Sequence, residues 1–386
     1  MSLASLRRLV LVLSASSCAW ALGNGTSCAS SSGICKQLDV VIVTDDHHLL
    51  EDGAIYTDNY LIDELRSQGL RVGRETYLEP TVDWSGATIA LPRSAWDRYF
   101  NYEEWVDWYH DVHLTETYIV NQDIFDWTLS KDLYLPVLQE KGINVAPFVI
   151  LEGYDEDEVP DCDGKDADKV DCNIIKNILE VNGWEALVFK PSAGNIGRDV
   201  SRANRETAAE MEETAQDLLE DVDKVIFQEF QNDVPIHGER SVYLIGRGES
   251  GELLHGIWKR AKVGGFLVHD DRGGSSVHYD PTEEEVKFAK HVFTVLKDMG
   301  YHLDIVRVDI ITDNRGDLAL NDIAVTTPAM WMENCPKWVV QKFASYIKEV
   351  VARVEAMNSE FQQNILSPNN MDRNACLSEA AMSNSQ

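Results

Sequence analysis

Val306-Arg307-Val308-Asp309-Ile310-Ile311 and Leu318-Ala319-Leu320-Asn321-Asp322-Ile323 flank the polar segment Asn314-Arg315-Gly316-Asp317. Two apolar runs around a glycine-containing turn read as an antiparallel hairpin. With Arg315-Gly316 as the loop, residue 314 pairs with 317, 311 with 320 and 309 with 322. Asp309 then faces Asp322 directly, and Arg307 shares that face. Like charges placed opposite one another in a sheet repel unless a cation lies between them. Two carboxylates at this spacing suit Mg2+, which takes one or two carboxylates together with substrate phosphates. The plainer alternative is a pair of solvated carboxylates on an exposed face.

Upstream of the hairpin, Leu187-Val188-Phe189-Lys190-Pro191 is a strand that delivers a lysine into the small-residue loop Ser192-Ala193-Gly194-Asn195-Ile196-Gly197-Arg198. Such a loop lets backbone N–H groups approach phosphate oxygens while the lysine adds a point charge. The same pattern also fits a strand whose lysine reaches solvent beside a turn. Val225-Ile226-Phe227-Gln228-Glu229-Phe230 is a second strand with a polar end, and Gly238-Glu239-Arg240 opens a third. A strand end of this kind offers main-chain groups to an adenine and a nearby carboxylate to a ribose, or is an ordinary edge strand. Gly246-Arg247-Gly248-Glu249-Ser250-Gly251 matches GxGxxG, but another strand follows it where the dinucleotide fingerprint needs a helix, so it reads as a hairpin loop.

From residue 38 to 121 strands and helices alternate, which predicts a small open α/β sheet domain. Leu38–Thr44, Leu70–Val72, Thr88–Pro92 and Tyr118–Asn121 are its strands, and 57–68 a helix ended by Gly69. The Trp-rich stretch from Trp96 to Trp108 reads as packing. Residues 122–357 form a second unit with lobes at about 122–226 and 227–357. It opens on a helix at 130–141 and closes on one at 336–357. An acidic insert, Asp155 to Asp171, reads as a solvated loop tied by cysteines rather than a calcium loop, because the DxDxDG spacing is missing. Residues 358–386 read as a disordered Ser/Asn-rich tail. His47-His48, and His110 with His113, lack a further ligand of metal-site spacing.

The chain of 386 residues carries 34 Lys+Arg against 65 Asp+Glu, a net charge of −31. So acidic a surface repels phosphate backbones and anionic lipid, which argues against nucleic-acid and membrane-surface partners. Arg7-Arg8, an apolar run and Ala19-Trp20-Ala21 read as a signal peptide over 1–21, followed by a Ser-rich linker at 22–37. Six of the seven cysteines remain after its removal and fall into short-range neighbours, Cys28 with Cys35 and Cys162 with Cys172, leaving Cys335 with Cys376 by elimination. An even count suits an oxidising compartment, although spacing does not prove connectivity. With the Asn24-Gly25-Thr26 sequon these features place the protein in the secretory pathway, lumenal or secreted. Import into an organelle by a bipartite signal is the alternative.

Taken in order, Arg93-Ser94-Ala95-Trp96-Asp97, the Asn121 to Lys131 segment, Phe189-Lys190-Pro191, Gln228-Glu229-Phe230, Gly238-Glu239-Arg240-Ser241 and Arg307-Val308-Asp309 resemble the ATP-grasp superfamily. Within it the chain is similar to glutathione-synthetase-like and cycloserine-biosynthesis-type ligases. The resemblance implies a pre-ATP-grasp domain of open α/β type followed by a two-lobed α+β ATP-grasp domain. It implies ATP and Mg2+ as cofactors, small carboxylate and amine substrates, and a homodimer as a common assembly. Carried over, Lys131 and Lys190 contact ATP, and Gly194 and Gly197 lie in a flap over its phosphates. Gln228, Glu229 and Phe230 hold adenine, Glu239 the ribose, and Asp309 and Asp322 the metal. Arg307 stabilises charge on the transferring phosphoryl group, while Arg93 and Lys259-Arg260 anchor an anionic substrate.

One position departs from the pattern. The family's third metal ligand follows the second by two residues, where this chain has Ala324, and on a regular strand Asn321 points to the opposite face. The expected function is an ATP-dependent carboxylate–amine ligase acting through an acylphosphate on an amino-acid-like or peptide substrate. The alternatives are a catalytically impaired ATP-grasp protein that binds without turnover, and a kinase acting on a hydroxyl.

Overall fold

In the computed structural model the described residues are 37–46, 56–154, 172–194 and 197–365. Strand β1 (Leu38–Thr44) is buried along nearly its whole length, as its run of β-branched residues requires. Helix α1 (Tyr56–Ser67) follows, then β2 (Val72–Thr76), β3 (Ala87–Ser94), α2 (Tyr102–His113) and β4 (Tyr118–Ile119). The four strands form a parallel sheet in the order β2-β1-β3-β4. On one face Leu61 and Leu65 of α1 pack with Val40 and Ile42. On the other, Trp105 and Trp108 of α2 stack at 4.7 Å against Val41, Val43 and Ala90.

Residue Asn121 takes a left-handed backbone (φ 63°) just after β4. Its side chain donates to the carbonyls of Ile305 (2.7 Å) and Val325 (2.6 Å) and accepts from the backbone N–H of Asp304 (2.6 Å). The end of the first sheet is thereby tied to the base of the hairpin.

The next elements are α3 (Lys131–Glu140), β5 (Phe148–Glu152), α4 (Ile174–Asn182), β6 (Ala186–Pro191), β7 (Ser201–Asn204), α5 (Ala208–Asp221) and β8 (Lys224–Glu229). Their strands make an antiparallel sheet, β5-β8-β6-β7, covered by α4 and α5 through Ile175, Leu179, Ala215 and Leu219. A short helix α6 (Val234–His237) leads to β9 (Glu239–Ile245), β10 (Glu252–Arg260), β11 (Ser275–Tyr279), α7 (Glu283–Asp298), β12 (Ile305–Thr312) and β13 (Leu318–Ala324). These strands form a third sheet, β11-β10-β9-β12-β13. Helix α7 starts with a capping box between Thr282 and Glu285 and buries Val292, Phe293 and Leu296 against that sheet. The GxGxxG segment is the β9–β10 hairpin loop, as read from the sequence.

The hairpin β12–β13 departs from simple register arithmetic. Its turn spans Asp313 to Asp317, where Asp313 N–H donates to the Asp317 carbonyl at 2.8 Å, rather than closing on Arg315-Gly316. Ile311 therefore pairs with Ala319, and not with Leu320. A register shift between Asp309 and Ile310 leaves Asn321 as an extra residue on β13, a β-bulge, and Asp309 still faces Asp322. The expected carboxylate pair survives because the two departures cancel.

The last helix, α8 (Lys337–Ile365), runs eight residues past the expected boundary at 357, so the start of the supposed tail is helical. Its Phe343, Ile347 and Val351 join the core beneath the first sheet. Cys335 is a free thiol, which corrects the expected pairing with Cys376. Its Sγ lies 3.4 Å from His255 Nδ1, inside the fold. Cys172 is disulfide-bonded, with a partner outside the described residues. The signal segment, the sequon, His47-His48 and the acidic insert also lie outside them. Among the described residues no helix is long and apolar enough to cross a membrane.

Candidate functional site

Between the second and third sheets lies a cavity of about 360 Å3. Lys190 from β6, Gln228 and Glu229 from β8, Glu239 from β9, Lys259 from β10, Arg307 and Asp309 from β12, and Asn321, Asp322 and Ala324 from β13 all line it. Lys131, Gly194, Gly197 and Phe230 complete the set drawn from the sequence. Of the expected site residues Arg93 and Arg260 do not line the cavity.

Lys190 leaves β6 among groups that cannot fully solvate it. Its Nζ donates to Gln228 Oε1 at 3.2 Å. Burial first, and Lys131 second, lower its ammonium to about 8. Lys131, at the start of α3, reaches Asp322 Oδ2 at 3.3 Å and the Gly194 carbonyl at 3.5 Å. The α3 N-terminus is moored to the loop after β6 by Lys131 N–H donating to the Ser192 carbonyl at 3.1 Å. Phe230 is buried, and the Arg202 guanidinium lies 3.7 Å from its ring centre.

The opposed carboxylates are held by internal cations. Arg307 Nη2 donates to Asp309 Oδ2 at 2.7 Å, Lys259 Nζ lies 3.3 Å from the same oxygen, and Ser241 Oγ donates to Oδ1 at 2.6 Å. Burial alone would raise the Asp309 carboxyl, but Arg307 and Lys259 hold it well below the usual range. Asp322 is likewise lowered against its burial, chiefly by Lys131, and accepts a hydrogen bond from Tyr134 Oη. The Arg307 guanidinium is held charged against burial by Asp309.

Lys259 also pairs with Glu239, so its charge is spent within the protein and its expected role as a substrate anchor finds no free ammonium. Glu239 further accepts from Asn321 Nδ2. The bulge has thus brought Asn321 to the cavity, contrary to the regular-strand expectation. Glycine is required at 238: its φ is +75°, and a Cβ there would stand 2.0 Å from the Lys259 carbonyl. That close approach sets Glu239 beside Lys259.

Arg93 is a correction. It is 1% exposed, 3.4 Å from Asp58 Oδ1, and donates to the Pro328 carbonyl at 2.5 Å. It pins the loop after β13 to the first sheet and does not line the cavity. Five residues later, Arg98 does line the cavity, and the sequence reading missed it. Tyr134 and Ser241 were missed as well, since a lone hydroxyl carries no spacing signal.

The donor set fits a hard cation. Among the described residues no group of three or more His, Cys, Asp or Glu side chains forms a ready metal cage. Two carboxylates with a neutral amide oxygen nearby, facing a cavity with cationic walls, suit Mg2+ arriving with phosphates rather than a dedicated metal centre.

Residues 40–121 match the family model described as "D-cycloserine synthetase DcsG, N-terminal domain". No curated protein sequence matches the chain. Among solved structures, D-cycloserine synthetase DcsG superposes with a TM-score of 0.66 at 21% identity, covering 81% of this chain and 99% of the other. The D-alanine–D-alanine ligase of Bacillus anthracis complexed with ATP gives 0.54 at 15%, covering 83% and 99%. The ATP-grasp ligase PsnB complexed with minimal precursor, Mg and ADP gives 0.51 at 13%, covering 83% and 100%. The architecture is therefore that of ATP-grasp ligases, and the resemblance to cycloserine-type members drawn from the sequence is borne out. The ATP, ADP and Mg of those structures match the expected cofactor class.

The secretory-pathway placement is corrected by the same findings. The proteins this chain is similar in fold to are ATP-grasp ligases and a bacterial ligase holding ATP, an ATP-using chemistry at odds with export. The residues on which export was read are not among those described. Cys335, expected in a disulfide, is free.

Proposed function

We propose that this chain is an ATP-dependent ligase that joins a small amino-acid-like or peptide carboxylate to an amine through an acylphosphate. The observation that carries the reading is the meeting of Lys131, Lys190 and Arg307 with the opposed Asp309 and Asp322 in one cavity. ATP is a substrate in this reading. Lys190 and Lys131 hold its phosphates, Gln228, Glu229 and Phe230 receive the adenine, and Gly194 and Gly197 form the flap. Asp309 and Asp322 would hold Mg2+, with Asn321, which lines the cavity beside them, as a neutral oxygen donor where Ala324 supplies none. The metal would neutralise phosphate charge at the reacting end.

A substrate carboxylate oxygen attacks the γ-phosphorus and ADP departs. Charge developing on the phosphoryl oxygens falls beside Arg307, which Asp309 keeps oriented. The amine nitrogen then attacks the acyl carbon, the C–O bond to phosphate breaks, and the amine loses a proton as phosphate leaves. Asp309 and Asp322 hold no proton near neutrality, since both carboxyls are lowered.

A second reading, nucleotide binding without turnover, is favoured by the Ala324 methyl, which pairs with Arg307 and lines the cavity. One assay separates the two. Full-length protein is given ATP, Mg2+ and hydroxylamine with a panel of small α-amino acids of both hands. The ligase reading expects ADP and a hydroxamate in equal amounts with at least one acid. Nucleotide binding with no acid-dependent ADP gives the second reading instead.

A further inference from the structure

Among the described residues, most lysines and arginines on the cavity wall near the opposed carboxylates are paired with an acid of the protein; Lys190, which donates to Gln228 Oε1, and Arg98 are not. Lys131 is paired with Asp322, Lys259 with Glu239 and Asp309, and Arg307 with Asp309. Arg98 lines the same cavity, and no acidic side chain among the described residues lies within ion-pair distance of it. Its one side-chain hydrogen bond goes from Nη1 to the Ala95 carbonyl at 3.3 Å. Burial first lowers its guanidinium, to about 10, so it stays charged near neutrality while Asp322 and Arg307 are felt across the space.

Arg98 lies in the turn Trp96–Tyr99, directly beyond the carboxyl end of β3. In open parallel sheets that end is where ligands bind. A second group points to the same ligand: Thr327 is 6% exposed, lines the cavity, and its Oγ1 has no hydrogen-bond partner. A guanidinium without an acid and a hydroxyl without a partner are complementary to a planar oxyanion supplied by a ligand.

We propose that Arg98 is the anchor for the substrate carboxylate, the role the sequence assigned to Arg93, with Thr327 as a second donor. The assignment rests on the ligase reading and names its first substrate as an acid bound on the first-sheet side of the reacting phosphate. Nucleotide phosphates already have Lys131 and Lys190, carried by α3 and β6.

The test compares wild type, Arg98→Gln and Arg98→Lys in the hydroxylamine assay, with calorimetric binding of Mg2+ and AMP-PNP as the check on fold and on phosphate contacts. Loss of one charge-assisted contact should raise KM for the acid by about tenfold or more, with AMP-PNP affinity changed by less than about twofold. Arg98→Lys should recover part of the KM. An unchanged KM in Arg98→Gln overturns the assignment and leaves the ligase reading standing. A fall in AMP-PNP affinity matching the rise in KM overturns it in favour of a phosphate contact. A panel in which wild type forms no ADP overturns both readings together.

Discussion

Asp309 on β12 stands directly opposite Asp322 on β13, across a β-bulge that a regular hairpin would not contain. Each carboxylate takes a cation from a different part of the fold, Lys131 on α3 for Asp322 and Lys259 on β10 for Asp309. The pair is therefore loaded with positive charge by the protein before any ligand arrives, and phosphates with Mg2+ must rearrange these partners to bind.

Replacing Asp309 by Asn should abolish the benefit of Mg2+. ATP affinity with Mg2+ should fall to its metal-free value, and ADP formation should drop by about 100-fold or more. The substitution also strips the partner from Arg307 and Lys259, so stability should fall by about 3 kcal/mol, the usual result of breaking a buried pair from one side. Titration calorimetry and urea denaturation measure the two effects separately.

Lys190 should make nucleotide binding depend on pH in the alkaline range. Its folded value of about 8 is lowered by burial and by Lys131, so the ammonium is mostly protonated at pH 7 and mostly neutral at pH 9. Phosphates favour the charged form. Affinity should weaken as pH rises through 8, by up to about tenfold per unit, with a proton taken up on binding. Calorimetry in two buffers of different ionisation heat reads the uptake, and Lys190→Met should be weaker and flat over this window.

For Arg93 the expectation is structural. It and Asp58 are both buried, at 1% and 2% exposure. Arg93→Met should cost about 3–5 kcal/mol by leaving an uncompensated carboxylate, and the double change with Asp58→Leu should recover much of that. Urea midpoints for the single and double variants decide this. The KM for the acid in the folded double variant should remain near wild type.

Asn321 should matter to the metal and little to the nucleotide alone. Asn321→Ala is expected to weaken Mg2+ binding to the ADP-loaded protein by about tenfold, while metal-free ADP binding is retained. Equal Mg2+ affinity in the variant and wild type would remove Asn321 from the metal site.

The parts of the fold carried by periodicity were readable in the chain. Leu38–Thr44, the helix ended by Gly69, and the strands bearing Lys190, Gln228 and Asp309 lie where their apolar spacing put them. Asp309 opposite Asp322 was also readable, although the turn and the bulge each shifted the register by one. Asn321 was not, because a bulge leaves no mark in an alternating pattern. Arg93 and Arg98 are both arginines near one strand end, and only tertiary packing shows that Asp58 closes off the first and that the second is open. Lys259 read as a free cation until Glu239, twenty residues away and brought beside it by the β9–β10 pairing, was seen to take its charge. The helical start of the supposed tail, where Phe361 is 65% exposed, continues a helix whose last buried residues are Val351 and Val354.

The central claim is that this cavity takes ATP with Mg2+. It is tested most directly by calorimetric titration of ATP into the full-length protein with and without Mg2+. The account predicts saturable one-site binding that tightens by about tenfold or more when Mg2+ is present, through Asp309 and Asp322. No binding in either condition would contradict it.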